Sequence, residues 1–291
     1  MAAKYRIQGL GWLPDFPDFR DRTPAHDAVK ELIGKTPIPA ATTLPTSVDL
    51  SKWCSPVEDQ GALGSCTANA AVGLYEYFER RAQGEYVDGS RLFLYKTSRN
   101  LLHWTGDSGA FIRTAMGALV LFGVPPEEYW PYDPTQLDTE PPAFCYAFAE
   151  NFKAIQYVRL DPAGVTDDAL IKQVKTYIAH QFPAMFGFTV YSSIDQATAG
   201  GMIPLPGIGE KVEGGHAVVA IGYDDALVVT NHVSGATTTG AFKIRNSWGP
   251  VWGDQGYGWL PYAYVSAGLA QDWWTLIKAE WVNSPAFTAT P

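Results

Sequence analysis

The chain has 291 residues, of which 46% are hydrophobic, and a formal net charge of −9. This length and apolar content suffice for one large domain or two lobes, and the lack of a basic cluster argues against a nucleic-acid partner or an anionic membrane surface. The start MAAKYRIQGLGW has no apolar core behind a basic end, and no apolar run approaches the about 18 residues of a membrane span. We therefore expect no classical signal peptide and no membrane partner; the sequence leaves the location open, with the cytoplasm as the default and unconventional secretion as an alternative.

The first 43 residues are rich in proline and aromatic residues, as in LGWLPDFPDFRDRTP and KTPIPAATTLP. Proline fixes its own φ and biases the preceding residue towards extended backbone, so the segment cannot form a long helix. We expect an extended arm over residues 1–43, in which Trp12, Phe16 and Phe19 lie on an apolar surface.

Helical periodicity begins at residue 65. Ser65 can cap a helix in which apolar residues recur at three- and four-residue steps, and Gly84 can end it. Its first half carries small residues, including Gly73, so another element can approach closely. Further helices are predicted over residues 91–101, 111–122 and 167–180.

After about residue 181 the pattern changes to short β-branched and aromatic segments. The predicted strands are AMFGFTV, HAVVAIGY, ALVVTN, AFKIRNSW, GYGWLPYAYV and WTLIKAEW. A chain that is helical first and β-rich later predicts an α+β fold in two lobes.

The chain has three cysteines, Cys54, Cys66 and Cys145, which are too few for a disulfide framework. A bridge between Cys54 and Cys145 stays open, although reduced thiols are the simpler interpretation. No C-x-x-C spacing indicates zinc, and no cofactor is expected. Cys54 and Cys145 are expected to be structural.

Cys66 differs from the other two because it lies in the first turn of the helix that begins at residue 65. Unpaired N–H groups and the helix dipole lower a thiol's pKa at such a position, so we expect a nucleophilic thiolate. A base and a group that orients it are also needed. His216, at the start of a strand after EGG, can serve as the base, and the amide oxygen of Asn246 can fix its tautomer. His26, His103, His180 and His232 lie in no such context.

At these residues the sequence resembles the papain-like cysteine peptidases, of the bacterial type with a short pro-region. Four blocks agree in order over residues 44–274: LPTSVDLSKW, VEDQGALGSCTANAA, GGHAVVAIGYDD and FKIRNSWGPVWGDQGYGWL. The resemblance implies a two-lobe fold with a helical left lobe, an antiparallel β-barrel-like right lobe and the active-site cleft between them. We expect a catalytic domain over residues 44–291, with the helical lobe at about 60–165 and the β lobe at about 166–285.

The resemblance also implies roles for individual residues. Cys66 would be the nucleophile, His216 its proton partner, Asn246 the orienting amide and Gln60 a donor to the oxyanion. The resemblance places substrate contacts at Ser108, Gly109 and Gly215. It also places Trp248 on the substrate side, where the indole would shield the hydrogen bond between the histidine and the asparagine. Asp272 or Ala270 could line the pocket for the second substrate residue, although core packing is at least as good an interpretation.

The sequence departs from the family pattern in two places. Leu63 replaces a cysteine that forms a disulfide in the family, and Thr67 replaces an aromatic residue. Neither position supplies chemistry, so activity is still expected. The segment between the histidine and the asparagine is expanded over residues 224–240, where a specificity loop could project.

These residues favour a cysteine endopeptidase acting on peptide or protein substrates through an acyl-enzyme. The absence of adjacent histidines argues against an exopeptidase. Two alternatives stay open: an amide or acyl transferase using the same site, and a silent fold that holds peptides. For the arm, one hypothesis is that residues 12–19 run along the cleft and limit access, and the other is that the arm packs on the back of one lobe.

Overall fold

The computed structural model describes residues 9–33, 43–152 and 156–288. The helices are α1 (Asp27–Ile33), α2 (Cys66–Gln83), α3 (Arg91–Leu101), α4 (Ile112–Leu121), α5 (Ala143–Ala149), α6 (Asp167–Ala179), α7 (Ala263–Ser266), α8 (Ala279–Val282) and α9 (Pro285–Thr288). The strands are β1 (Trp12–Leu13), β2 (Ser47–Asp49), β3 (Ala110–Phe111), β4 (Gln156–Arg159), β5 (Ala184–Tyr191), β6 (Val212–Thr230), β7 (Thr237–Arg245), β8 (Tyr257–Pro261) and β9 (Ala270–Ile277).

Seven strands form one antiparallel sheet in the order β4-β9-β5-β6-β7-β8, and β2 pairs with β6. The helices α2, α3 and α4 pack on one another, and α2 also lies against β6. The predicted α+β class is thus confirmed. The division into lobes near residue 165 stays a prediction.

The helix α2 joins the helices to the sheet. It begins directly after Ser65 and ends at Gly84, whose φ of 85° is the left-handed conformation that glycine adopts most readily. Its small residues permit the close approach that the sequence predicted. At Gly73 an added Cβ would lie 2.1 Å from Nη1 of Arg245, so β7 reaches the helix through an arginine side chain.

Several elements differ from their predicted bounds. The two segments predicted over residues 216–223 and 226–231 form one strand, β6, whose pairing with β7 shifts register between Asp224 and Val228. The last two predicted strands stop early, at Pro261 and Ile277, and short helices follow. The strand β4 was not predicted, because its four residues carry too short a pattern to separate from a loop.

The core is rich in buried aromatic residues. Phe186 stacks on Trp273 at a centroid distance of 3.9 Å, and Phe78 stacks on Trp281 at 5.0 Å. Cys54 and Cys145 are buried free thiols, so the bridge that the sequence left open does not form. Among residues 9–33, 43–152 and 156–288, no helix is long and apolar enough to cross a membrane.

Candidate active site

Cys66 lies at the first position of α2, as predicted, and its side chain is completely buried. The Ser65 hydroxyl makes no capping bond; it meets the hydroxyl of Tyr132 at 2.5 Å and accepts from Asn69 instead. Backbone N–H groups of Ala217, Gly11 and the first turn of α2 surround the sulfur. The Ala217 contact brings the sulfur next to the strand residue that follows His216.

His216 and Asn246 come from neighbouring parts of the sheet, on β6 and just after β7. The Nε2 atom of His216 lies 2.7 Å from Oδ1 of Asn246, and the ring is completely buried. Among the residues that the structure describes, Nδ1 of His216 has no hydrogen-bond partner. The amide oxygen therefore fixes the ring with Nε2 as donor, which leaves Nδ1 able to accept a proton.

Trp248 covers this pair. Its ring stacks on the His216 imidazole at a centroid distance of 4.4 Å and an interplanar angle of 23°, and it is 2% exposed. A hydrogen bond shielded from water is stronger than one in solvent, so this packing helps to hold the imidazole in one orientation.

The side-chain amide of Gln60, in the loop before α2, is held by hydrogen bonds at both ends. Its Oε1 accepts from the Ser247 hydroxyl at 2.5 Å, which orients the amide. Its Nε2 donates to the carbonyl oxygens of Leu63 at 2.8 Å and Gly9 at 2.5 Å. The second of these acceptors belongs to the N-terminal arm, so the amide donor predicted for an oxyanion is already occupied.

The arm enters the site over residues 9–13. The strand β1 pairs in parallel with β3, and the N–H of Ala110 donates to the carbonyl oxygen of Gly11 at 2.9 Å. Gly109 and Gly215 have no side chain, and the arm passes through the space that a Cβ would fill. An added Cβ would lie 2.2 Å from the Gly11 oxygen at Gly109, and 2.4 Å from the Trp12 oxygen at Gly215.

Of the predicted substrate-side positions, Gly109 and Gly215 therefore face the arm. Ser108 is half-buried, and its hydroxyl donates to the Gly109 carbonyl at 3.2 Å, so it supports this edge. The edge is further held by Tyr95, whose hydroxyl accepts from the N–H of Gly109 and donates to Asp107.

Burial opposes the predicted thiolate in this arrangement. Burial raises the pKa of Cys66 to about 11, more than the surrounding N–H groups lower it. Burial likewise lowers the pKa of His216 to about 4, although the bond to Asn246 acts in the opposite direction. Burial thus favours the neutral form of both groups. The sequence argument considered the helix terminus alone and missed the desolvation of the buried thiol.

The arm continues across the surface through charged contacts that the sequence analysis did not identify. Asp15 accepts from Nε of Arg113 at 2.6 Å, and Asp21 pairs with both Arg113 and Arg159. The Nη2 of Arg159 also donates to the Asp15 carbonyl at 2.9 Å. Acidic and basic residues are scattered along the sequence, which gave no indication of which of them pair.

The aromatic residues of the arm behave differently from one another. Trp12 is buried in the site, whereas Phe16 and Phe19 are 83% and 93% exposed. The expectation that all three lie on an apolar surface is wrong for the two phenylalanines, because the backbone between them is anchored by charge and both rings point outward. The segment 224–240 forms the β6–β7 hairpin, and Asn231 at its turn bonds to Leu205 and Glu210.

Within the described residues, no group of three histidine, cysteine or carboxylate side chains is arranged to hold a metal ion. The four other histidines lie outside the cluster around Cys66. One of them, His180, ends α6, and its Nδ1 lies 2.8 Å from the Thr176 carbonyl oxygen.

Comparisons with known proteins agree on one family. The model described as papain family cysteine protease matches residues 44–274. An uncharacterised peptidase C1-like protein of Acanthamoeba polyphaga mimivirus is 36% identical over 224 residues, which is 75% of this chain and 68% of that protein. Cysteine protease 1 of Oryza sativa is 28% identical over 74% of this chain, and the match spans only 40% of its own length.

Among solved structures, xylellain, a cysteine protease from Xylella fastidiosa, is 35% identical with a TM-score of 0.71, covering 92% of this chain and 96% of that one. Digestive procathepsin L 3 of Tenebrio molitor is 20% identical with a TM-score of 0.62, covering 86% of this chain and 78% of that one, and is evidence for the fold alone.

Proposed function

This chain belongs to the papain family of cysteine proteases, and on that premise we propose that it is an endopeptidase that cleaves peptide bonds through an acyl-enzyme on Cys66. The observation that carries the proposal is the His216–Asn246 hydrogen bond of 2.7 Å, which leaves Nδ1 of His216 without a partner among the described residues, while the Cys66 sulfur meets the N–H of Ala217, the residue that follows His216. A nucleophile, a base and a group that orients the base are the requirements of this chemistry.

The proposed reaction begins when His216 accepts the Cys66 proton at Nδ1. The sulfur then attacks the peptide carbonyl carbon, and the oxyanion is held by Nε2 of Gln60 and the backbone N–H of Cys66. The intermediate collapses as His216 returns the proton to the leaving amine. Water, deprotonated by His216, next attacks the thioester, which releases the acid and restores the thiol.

We further propose that the N-terminal arm, predicted over residues 1–43 and described over residues 9–33, restrains this activity. Three features support this proposal: Gly9 occupies the Gln60 donor, Gly11 lies against the sulfur, and Trp12 lies against Gly215. A substrate needs the same three places, so peptide binding and arm binding exclude each other. The protein would then behave as a zymogen or as a self-limited enzyme whose arm opens reversibly.

Labelling of Cys66 tests the endopeptidase proposal. The full chain and its Asp15→Ala/Asp21→Ala variant are incubated with a peptidyl fluoromethylketone, and the modified residue is located by mass spectrometry. We expect Cys66 to be labelled, faster in the variant, and Cys66→Ala to stay unlabelled while Cys54→Ala is labelled normally. The same variant should hydrolyse peptide libraries at internal bonds. Labelling of Cys66→Ala at an unchanged rate, or absence of hydrolysis by an accessible Cys66, would refute the proposal.

A further inference from the structure

The indole of Trp12 is buried in a cavity whose walls include Gly187 and Asp272. Its ring atoms lie directly on the Cα of Gly187, where an added Cβ would come within 1.9 Å of Cε2. Its Nε1 donates to Oδ2 of Asp272 at 3.2 Å, and Trp12 is only 4% exposed. The cavity lies one residue along the arm from Gly11, which contacts the Cys66 sulfur.

The backbone of Asp272 has an unusual conformation that aims its carboxylate into this cavity. Its φ is 65°, a conformation that residues other than glycine seldom adopt, and the β5–β9 pairing shifts register beside it. The N–H groups of Asp272 and Trp273 both donate to the carboxylate of Asp161, at 2.7 and 3.0 Å. Such a bulge next to an active site redirects one side chain, and strain of this kind persists only where neighbours impose it.

Asp272 is completely buried, and among the described residues outside the arm no donor is found for its Oδ2. Its Oδ1 accepts from Nε1 of Trp274 at 2.7 Å and lies 3.5 Å from Nη2 of Arg159, whereas Oδ2 faces the arm. When the arm leaves, Oδ2 loses the indole N–H. A buried acceptor without a donor is costly, so the emptied cavity favours an occupant that supplies one.

The charges around the cavity decide which kind of donor it favours. Departure of the arm removes Asp15 and Asp21 and leaves two arginines, Arg113 and Arg159, opposite two carboxylates, Asp161 and Asp272. The remaining cluster is formally neutral. A lysine or arginine side chain would lose its hydration without a net opposite charge, whereas a neutral N–H loses little.

We infer that Asp272 is a specificity-determining residue and that the cavity selects substrates with a tryptophan side chain, the flat aromatic group that Trp12 itself places there. The inference rests on the proposed peptidase function and names its substrate class. The walls of the cavity belong to the body of the protein and not to the arm. A substrate side chain can therefore enter the cavity with the peptide backbone running in either direction. The arm then acts as a competitor that presents the preferred side chain.

Tryptophan and 3-benzothienylalanine provide a matched pair of probes, because sulfur replaces the indole N–H with little change in shape. Peptidyl fluoromethylketones that differ only at the residue second from the reactive group are reacted with the full chain carrying Trp12→Ala and Asp15→Ala. Both substitutions lie in the arm and leave the body unchanged. We expect the tryptophan probe to label Cys66 about tenfold faster than the benzothienyl probe, and faster than phenylalanine, leucine or arginine probes.

Two variants of the acceptor complete the test. In Asp272→Ala the ratio between the two matched probes should fall to about one, whereas Asp272→Asn keeps a carbonyl acceptor and tolerates the left-handed backbone, so it should retain most of the ratio. The ratio is taken within each variant, so a general loss of activity does not affect it. Equal labelling rates with the two matched probes, in the Trp12→Ala/Asp15→Ala protein that retains Asp272, overturn the inference. Iodoacetamide labelling of Cys66 without labelling by any peptidyl probe instead overturns the peptidase proposal.

Discussion

Gln60 donates its amide N–H to the carbonyl oxygen of Gly9 at 2.5 Å, so the arm presents a peptide oxygen to the donor that we propose for the oxyanion. The two residues are 51 positions apart, and the contact joins the arm to the loop that precedes α2. Under the function proposed above, activity and arm closure are therefore competing states of one site. Changes that disfavour closure should therefore increase peptide turnover without touching the catalytic groups.

Gly11→Ala should open the site by steric exclusion. An added Cβ at this position would lie 1.9 Å from the Gly64 carbonyl oxygen, and the neighbour is backbone, which cannot rotate away. Overpacking of this kind costs about 1 to 3 kcal/mol, so we expect turnover of a fluorogenic peptide to rise about tenfold or more. Gly117→Ala is the control, since its methyl would meet nothing closer than the Tyr157 hydroxyl at 3.9 Å. Equal turnover by Gly11→Ala and the parent would show that the arm does not limit access.

Asp21→Asn should weaken the charged anchor of the arm. The Asp21 side chain is 4% exposed and pairs with Arg113, which is 22% exposed, and with Arg159, which is 1% exposed. Removing one partner of a buried ion pair costs more than a surface pair contributes, so peptide turnover and Cys66 alkylation should both increase, by about tenfold. Asp27→Asn is the matched control, because its side chain is fully exposed and pairs with the exposed Lys30. The proposal requires that peptide turnover and Cys66 alkylation increase in Asp21→Asn and stay unchanged in Asp27→Asn.

Gly73→Ala tests the contact between α2 and the sheet. A methyl there would overlap the Arg245 guanidinium, which donates to the Ser55 hydroxyl at 3.0 Å and to the Pro56 carbonyl at 2.6 Å. We expect a loss of about 2 kcal/mol in the free energy of unfolding by chemical denaturation. The same change at Gly117, also within a helix, should be neutral or stabilising because alanine favours helix more than glycine does. A stable Gly73→Ala variant would mean that the guanidinium can move without cost.

The sequence predicted the long helices well because their signals are local. The helix α3 begins and ends where its periodicity does, at Arg91 and Leu101, and α2 ends at the glycine that the pattern indicated. Short elements failed for the same reason. The strand β4 is paired only through β9, more than a hundred residues away, so four residues could not reveal it.

The sequence placed Cys66 at the start of α2 and anticipated the pairing of His216 with Asn246, and the catalytic roles of these residues and of Gln60 stay predictions. It did not anticipate the burial that raises the pKa of the Cys66 thiol, or the contact of the sulfur with the N–H of Gly11. That contact joins residues 55 positions apart, one of them in a proline-rich segment, for which local sequence carries no distance information. The resemblance covers residues 44–274, so it could not describe the arm.

The buried imidazole gives a pH dependence with a definite sign. The pKa of His216 falls from its ordinary 6.5 to about 4 because burial penalises the charged ring. Between these values an unfolded chain binds a proton that the folded chain does not, so stability should fall as pH decreases from about 6.5 to 4 and be fully present above 6.5. Relative to His216→Gln, which has no proton to bind, the parent should lose at most about 3 kcal/mol in the free energy of unfolding over this range.

Two carboxylates act in the opposite direction: burial raises the pKa of Asp272 to about 6 and of Glu76 to about 7, so their protonation stabilises the folded chain in acid. Both are present in the parent and in His216→Gln, and their contributions cancel in the difference between the two unfolding curves. Gly11→Ala should reduce that difference, because an open arm lets water reach the ring and returns its pKa towards 6.5. A difference that stays constant from pH 7 to 4 would mean that the ring is charged beneath the arm, and the neutral pair described above would be wrong.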